Sequence, residues 1–217
     1  MLLTRIEVSG FRNLEGFAEL GPGLNIFYGD NAQGKTNWLE AIYILGNTKS
    51  FRTSQLRECI AFDRPQALLR GETLRGSVTK QIQLQIAEDS KQLFINGKRE
   101  ALTRYLGNLA VFVFSLEEMD VIRGDPGKRR RFIDRGVVTT SPRFLNTLSP
   151  YNQVIKQKNR LLGEASKSDH PGQFASEVEA WNAQLAELGA AIHNHRTGYV
   201  ERLNHVLDEN DHAHGIF

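Results

Sequence analysis

Eight consecutive residues constrain this chain more than any others. Gly29, Asp30, Asn31, Ala32, Gln33, Gly34, Lys35 and Thr36 fit the pattern G-x-x-x-x-G-K-[ST] at every fixed position. The pattern needs a strand before it and a helix after it, and the flanking sequence predicts both. Residues 24–28, LNIFY, form a short apolar run that reads as a buried strand. From Lys35 onward, Trp38, Leu39, Ile42 and Leu45 recur at helical spacing, and Gly46-Asn47 makes a suitable stop. Glycine at 29 and 34 lets the backbone turn its N–H groups inward onto phosphate oxygens. The helix adds the positive end of its dipole. Lys35 then reaches the β- and γ-phosphates, Thr36 offers its hydroxyl to Mg2+, and Asn37 lies in the first helical turn. The alternative, a chance glycine turn ahead of a helix, does not account for the full match in its strand-and-helix setting. The expectation is binding of a nucleoside triphosphate with Mg2+.

The rest of the composition sets bounds. At 217 residues the chain is long enough for one sizeable core, or for a domain with a smaller lobe. Lys and Arg number 27 against 25 Asp and Glu, a net charge of +2, so any basic surface must be local. Cys59 is the single cysteine, which excludes an internal disulfide and suits a reducing cytoplasm. The start, MLLTRIEVSG, meets charge within five residues and does not read as a signal peptide. No uninterrupted apolar run is long enough to cross a bilayer. A cytoplasmic protein without a membrane partner is expected.

Residues 1–20 read as two short strands around a turn at 10–13, and Gly21-Pro22-Gly23 turns into the strand before the phosphate loop. After the loop's helix comes the polar stretch Thr48-Lys49-Ser50-Phe51-Arg52-Thr53, which lies either beside nucleotide or DNA or in an ordinary solvated loop. Ile82, Leu84 and Ile86 alternate with glutamines as in a half-buried antiparallel strand. Leu93 to Ile95 followed by Asn96-Gly97 signals a tight hairpin. Residues 109–114 read as an apolar strand, and Ser115 with Glu118 as a capping box opening a short helix.

Beyond Gly124-Asp125-Pro126-Gly127 helical signals take over. Phe144, Leu148, Tyr151, Ile155, Lys158 and Leu162 form one seam. Phe174, Val178, Trp181, Leu185, Leu188, Ile192, His195, Tyr199, Arg202 and Val206 form another. A polar tip at 163–172 joins them, so an antiparallel helical hairpin is expected, either as a projecting arm or within a compact bundle. Pro150 should kink the first helix or start it afresh. The second helix, if continuous, would extend about 50 Å.

Three clusters have alternative readings. Lys128, Arg129, Arg130 and Arg131 are the densest positive charge, either contacting phosphates of DNA or a partner's nucleotide, or forming a solvated face. Glu117-Glu118, after an apolar run, either hold magnesium and orient water or belong to the capping box. His193, His195, His205, His212 and His214 crowd the end without a carboxylate or thiolate at matching spacing, which favours surface residues over a metal site.

FRNL at 11–14, the loop GDNAQGKTNWLEAIYIL, SFRT at 50–53 and VFSLEEMDVIRGDPGKRRRFID at 113–134 together resemble the RecF family of bacterial recombination proteins. YNQVIKQKNRLL and the stretch from Trp181 to Tyr199 resemble the helical second lobe of that family, so the likeness covers essentially the whole chain. It implies an ATPase head of the ABC/SMC type: an α/β lobe I with mixed sheets around the P-loop helix, and an all-helical lobe II. The corresponding boundaries are 1–124 for lobe I, 125–210 for lobe II and 211–217 for a tail. The resemblance further implies an ATP-dependent DNA-binding protein that acts at single-strand gaps with RecO and RecR to promote RecA loading, and that dimerises on ATP. It also carries a nucleotide contact over to Arg12. Leu116 stands where the family usually has proline, and Ala32 where many relatives have glycine; the latter is harmless only if the backbone there avoids positive φ. No L-S-x-G-Q signature and no apolar strand ending in Asp-Glu occurs. The chain is therefore expected to be the N-terminal part of such a protein, carrying half an ATP site and hydrolysing little. The rival class is a small-molecule P-loop kinase with a helical lid. A mere interaction module built on the hairpin leaves the P-loop unexplained.

Overall fold

The structure, a computed structural model, describes residues 1–114 and 120–214. The chain divides into two compact units, Met1–Asp120 and Val121–Phe217.

In the first unit six strands form one sheet: β1 (Leu2–Phe11), β2 (Leu14–Glu19), β3 (Gln66–Arg75), β4 (Val78–Ala87), β5 (Lys91–Ile95) and β6 (Lys98–Arg99). Their order is β2-β1-β3-β4-β5-β6, and every pairing is antiparallel. The expected mixed sheet is thus antiparallel throughout the described residues. The glutamine-alternating strand is β4, with Ile82, Leu84 and Ile86 buried. The Asn96-Gly97 hairpin joins β5 to β6, with φ of 49° and 76° at the two turn residues, as primed two-residue turns require. Sequence reading misses β3, because two of its inward positions are Gly71 and Thr73, which carry no hydrophobic signal. Gly71 is needed for space: a Cβ there would lie 2.5 Å from a Leu45 methyl. That close approach seats α1 (Lys35–Asn47) on the sheet, burying Ala41, Ile44 and Leu45 with Ile6, Val8, Leu69 and Leu84. The short α2 (Leu102–Tyr105) fixes the other end of α1, where the buried Tyr105 hydroxyl donates to the Leu45 carbonyl at 2.8 Å.

Two apolar runs depart from expectation. Residues 24–28 are extended but join no sheet, and Leu24, Ile26 and Tyr28 are 88%, 71% and 90% exposed. Phe27 alone turns in, stacking on Trp38 with ring centroids 6.2 Å apart. Residues 109–114 behave likewise: Leu109 is buried and Val111 packs on the core, while Phe112 and Phe114 are exposed. An apolar run becomes a buried strand only where neighbours pair with its backbone and cover its second face. Among the described residues, no strand flanks either run.

The second unit begins with α3 (Asp120–Arg123) and α4 (Pro126–Thr140). Asp125 caps α4, its side chain accepting from the Lys128 N–H, with Pro126 in the first turn. The expected hairpin is α5 (Leu145–Ala165) and α6 (Ala175–His214). It is antiparallel: Phe144 meets His195, Tyr151 lies against Gly189, and Lys158 donates to Asn182 at 2.5 Å. Pro150 sits inside α5 without breaking it. The first seam shifts by one residue toward its end, so that Val154 and Leu161 are buried while Leu162 is exposed. The second seam holds through Ile192, beyond which His195, Arg202 and Val206 are exposed and Arg196, Tyr199 and Leu203 are the half-buried positions; 40 residues at 1.5 Å each make α6 about 60 Å long. Its packing stops after Tyr199, leaving Val206 and Leu207 half exposed. Val137, Phe144 and Ile192 form a small core of their own. Gly136 on α4 is essential there, because a Cβ would occupy the place of the Tyr199 ring. Ser115, Leu116, Glu117 and Glu118, with the capping box and acidic run assigned to them, lie outside the described residues. No helix among the described residues is long and apolar enough to cross a membrane.

Candidate nucleotide site

The loop before α1 has the backbone its sequence predicts. Gly29 and Gly34 lie at φ 142° and 93°, conformations that L side chains rarely adopt. Space forbids a side chain as well: a Cβ on Gly29 would lie 2.5 Å from Gln33 Oε1, and one on Gly34 would lie 2.6 Å from a Leu14 methyl. Gln33 braces the turn, accepting from the Asp30 N–H at 3.2 Å. Ala32 does not meet the condition under which alanine would replace glycine without cost, because its φ is 67°. It is a non-glycine residue in the left-handed region, so the loop carries strain of about 1 kcal/mol there.

Lys35 arches back over the loop. Its Nζ donates to the carbonyls of Gly29 and Asp30 at 2.8 and 2.7 Å. The N-cap Gly34 gives no side-chain acceptor, and no acidic residue occupies the first turn of α1. The first N–H groups of the helix therefore face an anion-shaped demand that the loop does not meet. Asn31 and Thr36 are exposed. Among the described residues no cluster of three or more His, Cys, Asp or Glu suits a metal. The loop offers Mg2+ the Thr36 hydroxyl, which fits an ion that takes its other ligands from phosphates and water.

Around this loop lies a chain of hydrogen bonds that the sequence alone does not announce. The Ala32 carbonyl accepts from Asn13 at 3.1 Å, Asn13 accepts from Asn37 at 2.7 Å, and Asn37 accepts from Arg52 at 2.8 Å. Arg52 also donates to Glu40 at 3.1 Å. Glu40, on α1, is fully buried. It accepts from Arg12 Nε and Nη2 at 3.1 and 3.0 Å and from the Ser50 hydroxyl at 2.6 Å. Arg12 sits at φ 53° in the β1–β2 turn, and its third nitrogen donates to the Glu58 carbonyl at 2.9 Å. Burial pushes the Glu40 carboxyl up, but the hydrogen bonds of Arg12 and Ser50 and the charges of Arg12 and Arg52 bring it below the usual carboxylate range. Burial and the same carboxylate push the Cys59 thiol up to about 11. Thus Arg12 is held by its own chain, and the polar stretch 48–53 is tied to α1 through Ser50 and Arg52 and to β5 through Lys91, which donates to both oxygens of the buried Thr48. The available sequence signal is a lone acid, Glu40, on the apolar side of the P-loop helix.

The basic run is different. Arg129, Arg130 and Arg131 are exposed on α4 in the second unit, with Arg129 donating to the Gly124 carbonyl at 2.9 Å. Of the histidines, His195 lies edge-on against Phe144, and His205 approaches Glu209 at 3.5 Å.

An antiparallel sheet carrying a P-loop helix, followed in the chain by a helical unit, defines a P-loop protein of the ABC-ATPase-like α/β class. Comparison with known proteins narrows this. The chain is 36% identical over 214 residues to the DNA replication and repair protein RecF of Geotalea uraniireducens (strain Rf4), matching 96% of this chain and 56% of that protein. It is 36% identical over 205 residues to RecF of Streptococcus pyogenes serotype M49 (strain NZ131), matching 94% of this chain and 54% of that one. Two solved structures of the recombination mediator protein RecF in the RecFOR pathway, described as RecF-ATPrS and RecF-ATP, superpose with TM-scores of 0.83 and 0.81. Their identities are 31% and 32%, each covering 93% of this chain and 55% and 54% of theirs. No established family profile matches. The chain matches RecF proteins over their N-terminal part and spans about half the length of the curated relatives it matches.

Proposed function

We propose that this chain binds ATP with Mg2+ through 29–37 and supplies the P-loop half of an ABC-type ATPase head. The observation that carries this reading is the loop itself. It has strained and glycine-enabled turns, a lysine folded over the phosphate position, and uncapped helix N–H groups. Bound Mg2+–ATP supplies a labile phosphoryl bond and a divalent charge. Lys35 would hold the phosphate oxygens in place of its two carbonyl partners, and Thr36 would offer its hydroxyl to the metal.

By its kinship with RecF, we assign the protein to ATP-dependent DNA binding in recombinational repair, at single-strand gaps, with RecO and RecR and toward RecA loading. It works in the cytoplasm, and ATP draws two heads together. Residues 1–124 correspond to lobe I, 125–210 to lobe II and 211–217 to a tail. Lys128, Arg129, Arg130 and Arg131 are the candidate DNA surface, and Arg12 belongs to the nucleotide side. The small-molecule kinase alternative draws no support from relatives named as repair proteins.

Titration of the chain with ATP and Mg2+ tests the core of this reading. Lys35→Ala should weaken binding by about a hundredfold without lowering the melting temperature, since Lys35 is only partly buried and, among the described residues, bonds only to the loop. Equal affinities would sink it. Phosphate release by this chain should stay far below about 1 s⁻¹, because positioning supplies most of phosphoryl-transfer catalysis and the sequence lacks the signature and acidic strand segments.

A further inference from the structure

We propose that the groove between α4 and α6 is a docking site for a short amphipathic helix of a partner protein, one whose acidic flank lies along α4. The inference goes beyond the nucleotide reading and does not depend on it.

The basic run is not one surface. Ile133 follows Arg129 by four residues and Arg130 by three, so these three share a face of α4. That face meets α6, where Thr197, Val200 and Glu201 complete a groove of about 330 Å³. Arg131 is turned about 100° from Arg130 and about 200° from Arg129, and lies outside it. The floor is apolar: Ile133 packs on the core of Val137, Phe144 and Ile192, and Val200 is 36% exposed. The walls are fixed before anything binds. Arg196 Nε and Nη2 donate to the two carboxylate oxygens of Asp134 at 2.7 and 2.9 Å, which neutralises the cation at the base and ties α6 to α4. Close by, Gly136 against Tyr199 sets the spacing of the same two helices. A groove formed in advance costs little ordering when it is filled.

The rims decide what fills it. On α4, Arg129 and Arg130 are exposed. Arg129 donates to the Gly124 carbonyl, and Arg130 has no partner among the described residues. The α6 rim carries the exposed Glu201. A nucleic-acid strand crossing the groove would set phosphates beside that carboxylate, and its backbone has no apolar group for the floor. A peptide helix can answer all three parts, with apolar anchors below, carboxylates toward the arginines and an amine or amide toward Glu201. The floor also continues along α6. Val200, Leu203 and Leu207 recur at spacings of three and four, with Leu203 half-buried and Leu207 51% exposed. That row offers one apolar contact per turn to a helix laid alongside, the i, i+3, i+7 anchoring of helix-in-groove complexes. An exposed apolar strip with charged rims is the kind of surface that partners cover, and arginine is enriched where they bind most tightly.

The probe is a labelled synthetic peptide of about four helical turns, with leucines at i, i+3 and i+7 and glutamates along one flank. A second peptide carries lysines in place of the glutamates. The glutamate peptide should bind the chain with a Kd of about 10–100 μM, and the lysine peptide about tenfold more weakly or worse. Arg129→Glu/Arg130→Glu should reverse that order, and Val200→Asp should abolish binding of both. Should Val200→Asp fail to fold, Thr197→Glu, at an exposed position of the same wall, decides in its place. Equal binding of the two peptides, no binding by wild type, or wild-type affinity in the wall variant overturns the proposal. So does either rival occupant. One is a DNA oligonucleotide that displaces the peptide and needs Arg129 and Arg130 but not Val200. The other is a dimer of the chain, seen by sedimentation, that Val200→Asp converts to monomer.

Discussion

Two groups of positive charge stand in contrast. Arg12 and Arg52 converge from a turn and a loop on one buried carboxylate, whereas Lys128, Arg129, Arg130 and Arg131 follow one another near the start of α4. In the sequence the second group looks more functional, because it is contiguous. In the structure the first group is the one that converges on a single partner. Consecutive helical residues point about 100° apart, so a run of arginines spreads over a helix rather than converging. Convergence needs residues that are distant in sequence, here 12, 40, 50 and 52.

The largest expected effect exploits that contrast. Arg12→Ala removes two of the five hydrogen bonds to a buried carboxylate and should destabilise the first unit by about 3 kcal/mol. Arg130→Ala, at an exposed position of α4, should change stability by no more than about 0.5 kcal/mol. Thermal or urea unfolding of both variants reads the difference. Similar losses would mean that anchoring does not separate the two clusters.

The second effect reverses the roles. If the α4 run contacts nucleic-acid phosphates, Arg129→Ala/Arg130→Ala should weaken DNA binding equally for unrelated sequences. It should also flatten the plot of log affinity against log salt by about two units, one for each phosphate no longer neutralised. Arg52→Gln should leave that slope unchanged. A run that instead supports the helical unit would show an earlier melt and an unchanged slope.

A third difference is titratable. The Glu40 carboxyl lies below the usual carboxylate range when folded. Its stabilisation is therefore complete above the ordinary carboxylate pKa and is lost as pH falls through the lowered folded value. Wild type should lose melting temperature on acidification in that window, and Glu40→Gln should lose less. Parallel acid limbs in the two proteins would show that the network does not contribute through ionisation.

What is legible in the sequence follows the same division between local and distant. The loop geometry at Gly29 and Gly34, the β4 alternation, the Asn96-Gly97 turn and the cap at Asp125 all arise from neighbouring residues, and each can be read directly. So can the antiparallel helix pair. The run at 24–28 reads as buried yet is exposed, because its fate depends on a pairing partner that no periodicity within five residues reports. β3 escapes because its inward face includes Gly71, which is there to let Leu45 approach. Glu40 escapes because a single acid in an apolar helix face is informative only once its distant arginines are known. The basic run attracts attention for contiguity, a property with little bearing on geometry.

The smallest effect concerns the loop itself. Ala32 stands at φ 67° between residues tied to both ends of the polar network, its carbonyl accepting from Asn13. A left-handed alanine costs about 1–2 kcal/mol relative to the right-handed region, and glycine avoids that cost. Against this, glycine adds backbone freedom to the unfolded chain, worth about 0.4–1 kcal/mol in the opposite direction. Ala32→Gly should therefore stabilise the first unit by no more than about 1 kcal/mol. The same change in Asn31, which is not at positive φ, should be destabilising because only the entropy term remains. Paired unfolding curves for Ala32→Gly and Asn31→Gly test the sign. If both variants lose stability equally, the strain at Ala32 is relieved elsewhere in the loop. ATP titration adds the second reading: a strained loop held by Asn13 is already shaped for phosphate. Ala32→Gly should thus raise stability without tightening ATP, and an affinity gain would mean that strain opposes the bound shape.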